Sequence, residues 1–174
     1  NARFAAGQSI NCDRLQQVRD TSSGQAPFAA VVGCIDSRVP PELVFDQRIG
    51  DIFAARIAGN YVNDDIIGSL EFATQLAGSK AIVVLGHSEC GAVKGAVDNA
   101  KLGLLTGVLA QIRPSLAKLD YQGVPSSKDK ALVQRVAEQN VRDAVARLTA
   151  RSEVLAQRVQ AGQLKVVGAM HDIS

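Results

Sequence analysis

The sequence predicts a single α/β domain: a mainly parallel central sheet of four to five strands, flanked by helices and preceded by an N-terminal helical arm. Three observations predict it. Short apolar runs rich in Val, Ile and Ala alternate with stretches of helical periodicity, the pattern that βαβ units leave in a sequence. The 174 residues suffice for one ordinary domain with its own core. The composition, 47% hydrophobic and 21% charged, is that of a globular chain, and 4% aromatics with no Trp make that core aliphatic.

The elements follow in chain order. Residues 1–20 read as one or two short helices with Phe4, Ile10, Leu15 and Val18 as apolar contacts, an arm that packs either on a partner subunit or on its own domain. The first strand is Phe28-Ala29-Ala30-Val31-Val32, running into Gly33-Cys34. The second is Ile52-Phe53-Ala54-Ala55-Arg56-Ile57, the third Ala81-Ile82-Val83-Val84-Leu85 leading into Gly86-His87, and the fourth Leu164 to Ala169. Runs of this length and β-branched content predict strands buried on both faces. Asn63-Asp64-Asp65 offers cap chemistry for a helix through Leu70 to Leu76, closed by Gly78. Further helices are expected from Gly91, from about Leu104 to Leu119 with a kink at Pro114, and after Asp129 through Val133, Val136, Val141, Val145 and Leu148. Ser152 restarts a last helix that Gly162 ends.

The formal charge of +2 is too even to argue for nucleic acid, and no basic block is interleaved with aromatics. No apolar run approaches the roughly 18 residues that span a bilayer. The chain opens at Asn1, which leaves room for a removed leader peptide and leaves the compartment undetermined. Three cysteines, Cys12, Cys34 and Cys90, are a poor disulfide framework, so metal binding or buried thiols are the better readings. Cys12 sits in a polar stretch without partners and reads as structural.

Two segments carry chemistry: Gly33-Cys34-Ile35-Asp36-Ser37-Arg38 and Gly86-His87-Ser88-Glu89-Cys90-Gly91. Each follows an expected central strand, and in open α/β sheets functional groups collect at the carboxyl ends of strands. Two thiolates and an imidazole suit Zn²⁺, and three protein ligands leave a fourth position for water. A single Cys after an apolar strand is more often a small core residue; the coincidence of two with His87 at strand ends favours a metal. A redox pair of Cys34 with Cys90 competes with that reading. Asp36 and Arg38, two apart in a turn, are placed to form a bidentate ion pair, either structural or serving the metal. Glu89 fits the acid preference of a helix start, and His171 reads as structural or as a proton carrier. No Gly-x-Gly-x-x-Gly follows a strand, which argues against a dinucleotide site.

Cys34 to Pro40 and Gly86 to Val93 resemble the two signature motifs of the β-class carbonic anhydrases. The resemblance continues through Glu42, Phe45-Asp46-Gln47, Gly50-Asp51, Arg56 to Asn60, Gly68 to Glu71 and Val167 to Asp172. It implies one Zn²⁺ per subunit on Cys34, His87 and Cys90, with Asp36 and Arg38 as the catalytic dyad. It also implies that Asp36 serves as a fourth ligand in a closed state. The implied activity is reversible hydration of CO₂ to bicarbonate, or, on the same site, hydrolysis of CS₂ or COS. The implied assembly is a homo-oligomer, a dimer or a dimer of dimers, with Gln47, Gly59, Tyr61 and Gly91 near the cleft. Val31 stands where relatives with a regulatory bicarbonate pocket carry Trp, so that pocket is expected to be absent. His171 stands where many relatives have Tyr, and the family sheet usually continues beyond the position at which this chain ends.

Overall fold

The computed structural model of the protein describes residues 2–10 and 13–173, so Cys12 lies outside the described residues. Its centre is one sheet of four parallel strands: β1 (Ala29–Gly33), β2 (Ile52–Arg56), β3 (Ala81–His87) and β4 (Lys165–His171), in the order β2-β1-β3-β4. In register, Val32 of β1 lies between Ala55 of β2 and Val84 of β3, and His87 at the end of β3 lies beside His171 of β4. This order sets up the functional end of the molecule. The chain leaves β1 toward β2, on one side, and leaves β3 toward β4, on the other. The carboxyl ends of β1 and β3 therefore flank the point where the winding reverses, the place where open α/β sheets gather their functional groups.

The expectation of strands buried on both faces holds for the two central strands only. All five residues of β1 are buried. The edge strands β2 and β4 are half-buried, with Ala54, Lys165 and Gly168 exposed. Run length and β-branched content report that a segment is a strand; they carry no information on its place in the sheet, and an edge has one neighbour fewer to cover it. Phe28, expected inside the first strand, precedes β1 and is exposed, although its backbone already bonds Asp51 and Lys80.

Side chains alternate across β1 and feed two cores. Val31 joins Val39, Leu85, Val93, Leu109, Ile112, Val133 and Val136 on one face, and Ala30 and Val32 join Leu70, Ile82, Val84, Leu148 and Leu155 on the other. Fully burying each of these larger aliphatic side chains contributes about 1.5–3 kcal/mol relative to leaving it exposed. Helix α7 (Lys130–Arg151) serves both cores, its first half through Val133 and Val136 and its second through Val141, Ala144 and Leu148.

The polar punctuation of the helices is as the sequence indicates. Asn63 caps α4 (Asp64–Glu71), Asp129 caps α7 and Ser152 caps α8 (Glu153–Gln160), each accepting a backbone N–H three residues on. Two features depart from the expected boundaries. The helix expected to run unbroken to Leu76 changes after Glu71 into a π-helical turn, Phe72–Leu76. A short helix, α3 (Pro41–Val44), follows the first signature segment. Helices α5 (Gly91–Val97) and α6 (Leu105–Ala117, with Pro114 inside it) lie where they were expected.

The arm folds as α1 (Ala2–Ala5) and α2 (Arg14–Asp20), but the apolar residues expected to pack it stay largely uncovered. Phe4, Ile10, Leu15 and Val18 are all exposed, Leu15 at 71%. Polar anchors hold the arm, beside one edge-on contact of Phe4 with His171. The buried carboxylate of Asp46 accepts from Arg3, from Ser9 Oγ and from the Ile10 N–H, and Gln17 Oε1 accepts from the Ile49 N–H. Arg3 and Ser9 keep the Asp46 carboxyl below its usual range. Amphipathic periodicity marks an apolar face without saying what covers it. Among the described residues no helix is long and apolar enough to cross a membrane.

Candidate metal centre

Cys34 is the first residue past β1, His87 is the last of β3, and Cys90 caps α5 after a two-residue turn. Glu89 makes that turn with a left-handed backbone, φ 58°, and its carboxylate pairs with Lys94. This reversal returns the chain so that Cys90 faces Cys34 and His87 from the start of a helix. The ligand atoms of the three side chains lie within 4.8 Å of one another, and all three residues are buried.

The geometry tests the donor set. The two Sγ atoms are 3.9 Å apart, far beyond the roughly 2.05 Å of a disulfide. Two thiolates at about 2.3 Å from one tetrahedral ion stand about 3.8 Å apart. The spacing fits a shared metal and excludes the disulfide form of a redox pair in this structure. His87 adds an independent observation. Its Nδ1 lies 2.8 Å from the Ser88 carbonyl, which can only accept, so in the neutral ring Nδ1 carries the proton. The lone pair is then on Nε2, which is buried without a hydrogen-bond partner. A buried lone pair left unmatched beside two thiols is costly unless an acceptor of electron pairs sits there. The residues present fit a zinc ion.

The surroundings favour thiolates. Cys34 Sγ accepts from the Gly59 N–H at 3.3 Å, and backbone N–H groups of Ala92 and Val93 support Cys90. Without a metal the two sulfurs compete for one proton. The Cys90 thiol donating to Cys34 holds Cys34 well below the ordinary thiol range, and the same bond with burial pushes Cys90 up. For His87, burial opposes protonation, but the Cys34 side chain and the Ser88 carbonyl outweigh it and the pKa is raised. A divalent ion must displace these protons, so metal binding weakens as pH falls.

Asp36 and Arg38 form the expected bidentate pair. Arg38 Nε donates to Asp36 Oδ1 at 2.9 Å, its Nη2 to Oδ2 at 2.7 Å, and its backbone N–H to Oδ1 at 3.0 Å. The guanidinium holds the Asp36 carboxyl well below the usual carboxylate range. Asp36 Oδ2 remains 3.9 Å from His87 Nε2, beside the metal position, with both oxygens committed to Arg38.

Two supports escaped the reading of single residues. Arg56, at the end of β2, donates from Nε to the Cys34 carbonyl (2.8 Å) and from Nη2 to the Asp36 carbonyl (2.6 Å), fixing the loop that carries both. Buried Asn140 of α7 donates to the Gly59 carbonyl at 2.7 Å, which holds in place the residue whose N–H serves Cys34. An arginine closing an otherwise apolar strand was the available signal for Arg56; nothing in the helical pattern distinguished Asn140.

Gly59 and Gly91 lie at the site, one bonded to Cys34 and one following Cys90. Gln47 and Tyr61 are not brought to it within this chain. Gln47 lines an apolar cavity of about 370 Å³ with Arg3, Val31 and Phe45, and Tyr61 lines another of about 310 Å³ with Gln111 and Arg147. Neither cavity is lined by a ligand of the metal group. His171 packs edge-on against Phe4 of the arm, ring centroids 5.7 Å apart.

Gly59 yields a prediction. Its φ is 77°, and a Cβ there meets Ile112 Cδ1 at 2.4 Å and Ala92 Cβ at 3.3 Å. Gly59→Ala combines left-handed strain with overpacking, about 1–2 and 1–3 kcal/mol respectively. Denaturant titration is expected to show a loss of about 2–5 kcal/mol. A midpoint within error of the parent's would show that Ile112 gives way and that the turn tolerates a side chain.

Comparison with known proteins gives the family. The carbonic anhydrase family model matches residues 29–174. A carbonic anhydrase of Mycolicibacterium smegmatis is 34% identical over 180 residues, covering 100% of this chain and 84% of that protein. The β-carbonic anhydrase CafA of Aspergillus fumigatus superposes with a TM-score of 0.78 at 30% identity, over 91% of this chain and 76% of that one. One of two tetrameric β-carbonic anhydrases from Sordaria macrospora superposes with a TM-score of 0.74 at 27% identity, over 87% and 79%. The chain belongs to the β-class carbonic anhydrase family.

Proposed function

We propose that the protein catalyses the zinc-dependent, reversible hydration of CO₂ to bicarbonate and a proton. The observation that carries the reading is the buried Cys34-His87-Cys90 group with a free Nε2 lone pair and an arginine-clamped carboxylate beside it. Zinc held there supplies Lewis acidity that makes water a usable nucleophile near neutral pH, less strongly than with three neutral ligands because two thiolates cancel the ion's charge. The chain's own residues do the rest. Cys34, His87 and Cys90 hold the ion. Asp36 accepts a hydrogen bond from the attacking water and aims its lone pair at CO₂. Arg38 keeps Asp36 ionised and turned aside from the position of a fourth ligand, the open form of the site. A carboxylate with so low a proton affinity orients the nucleophile but does not store the released proton, which passes to buffer.

The remaining assignments belong to the same reading. Residues 1–174 make one domain, with 1–20 as its arm. The protein works as a homodimer or a dimer of dimers, as the tetrameric Sordaria relatives and the uncovered apolar residues of the arm suggest. A second subunit extends the cavities at Gln47 and Tyr61 into a cleft. Hydrolysis of CS₂ or COS on this site is not favoured, since the relatives that resemble the chain are carbonic anhydrases.

Elemental analysis together with stopped-flow CO₂ hydration tests the proposal. One zinc per chain is expected, with a rate that climbs from the acid side of pH 7 to the alkaline side. Asp36 stays ionised throughout, so no inflection between about pH 5 and 9 comes from it. Absence of zinc, or a rate flat across that range, would overturn the reading.

A further inference from the structure

The orientation of His87 depends on its neighbour. Once Nδ1 donates to the Ser88 carbonyl, both the tautomer and the direction of Nε2 are set by where that carbonyl points. The carbonyl lies one residue before the left-handed Glu89, in a sharp turn beyond the last residue of β3. No helix or strand holds it. Residue 88 is instead tied at three points to the end of β4. Its N–H donates to the His171 carbonyl at 3.0 Å, its Oγ donates to Asp172 Oδ1 at 2.8 Å, and the same Oγ accepts from the Ile173 N–H at 2.9 Å. The first of these extends the ladder in which His87 and His171 are register partners.

We infer that Asp172 and Ser88 are positioning residues of the metal site: Asp172 fixes the Ser88 hydroxyl, and the Ser88 peptide so held fixes His87 with Nε2 toward the two thiolates. Neither side chain touches the ion or the substrate. The inference rests on the zinc reading above and extends it to the neighbouring edge strand, where the metal turn between β3 and α5 is anchored on the last residue of β4 and the two that follow it. A different role is available to the same atoms, since Asp172 and Ser88 also pin the backbone that follows β4. The two roles separate experimentally. A tether of the tail alone leaves the metal indifferent to these side chains. An orienting chain makes the metal sensitive to them, and in series: once Ser88 Oγ is gone, Asp172 has nothing left to act through.

The experiment uses the full chain with zinc and, separately, with Co²⁺ as a spectroscopic probe. Zinc affinity is measured by competition with a chromophoric chelator for the wild type, Ser88→Ala, Ser88→Thr, Asp172→Ala, Asp172→Asn and the Ser88→Ala/Asp172→Ala double variant. Loss of an outer group that orients a ligand costs about 10–100-fold in affinity, and a carbonyl reached through one further residue belongs at the lower end. Ser88→Ala and Asp172→Ala are expected to weaken zinc about tenfold and to shift the cobalt ligand-field bands. Ser88→Thr, which keeps the hydroxyl, should stay within about twofold of wild type, and the double variant should be no weaker than the weaker single. Should an alanine variant fail to fold, Asp172→Asn, with shape kept and charge lost, should still weaken zinc several-fold. Unchanged affinity and cobalt spectra, or losses that add in the double variant, overturn the positioning role while leaving the zinc site standing. A wild-type chain that takes up no zinc overturns both.

Discussion

Replacing Cys34 with Ser is expected to strip the metal from an otherwise folded protein and abolish CO₂ hydration. The substitution changes little else. Cys34 is 4% exposed and receives the Gly59 N–H, a bond that a hydroxyl oxygen of similar size also accepts. What is lost is the thiolate. A neutral hydroxyl does not balance a divalent cation in a buried site, and its softness is wrong for the ion. Removing an outer group costs about 10–100-fold in metal affinity, so removing one of three ligands costs more. The readout includes stability, because an ion that binds only the folded chain stabilises it by mass action. At zinc 100 times its Kd that is about 2.7 kcal/mol. For a chain of this length it corresponds to about 5–10 °C in Tm. A strong chelator should therefore lower the melting temperature of the wild type and leave Cys34→Ser where it was. Stoichiometric zinc at parental affinity in Cys34→Ser would remove this residue from the site.

This result bears on how the centre was legible in the sequence. Cys34, His87 and Cys90 could be placed together because two apolar runs end in Gly33-Cys34 and Gly86-His87, and strand ends are where a parallel sheet gathers its chemistry. Strand order was not legible. The strand pattern of β2 differs little from that of β1, yet one is an edge and the other is buried throughout. Position in a sheet is set by which neighbours arrive from elsewhere in the chain. The same limit applies to the arm, whose apolar residues were visible and whose real anchors, Asp46 and Gln17, were not. Helix caps sit at the other extreme. Asn63, Asp129 and Ser152 could be read one by one because a cap is settled within four residues. Arg56, Asn140, Ser88 and Asp172 fall between these cases. Their residue types are unremarkable, and each acts on a backbone or side-chain atom at least 20 residues away.

Asp36→Asn should keep zinc and lose most of the activity, with kcat falling by about 10²-fold or more. Asn preserves the shape and one acceptor oxygen but is neutral, and its amide can present a donor where the mechanism needs an acceptor. The partner variant separates the two roles of the dyad. In Arg38→Ala the carboxylate loses the guanidinium donors that hold its pKa down, so its proton affinity rises toward the ordinary range near 4. The sign matters. A depressed carboxylate contributes stability above its unfolded pKa and loses it only as pH falls through the folded value. Arg38→Ala therefore removes that contribution at neutral pH, where it is fully present, by a small amount because the half-exposed guanidinium is screened by solvent, and it leaves stability less dependent on acid. The larger change at neutral pH is freedom: an ionised Asp36, whose Oδ2 lies 3.9 Å from His87 Nε2, can turn without its clamp toward the metal position and compete with water for the ion. Arg38→Ala should thus be inhibited by its own Asp36, while the Asp36→Asn/Arg38→Ala double variant should be no slower than Asp36→Asn alone. Stopped-flow rates at several pH values on zinc-loaded protein decide it. Full activity in Asp36→Asn would sink the orienting role, and losses that multiply in the double variant would show that Arg38 acts on the reaction by a route other than Asp36.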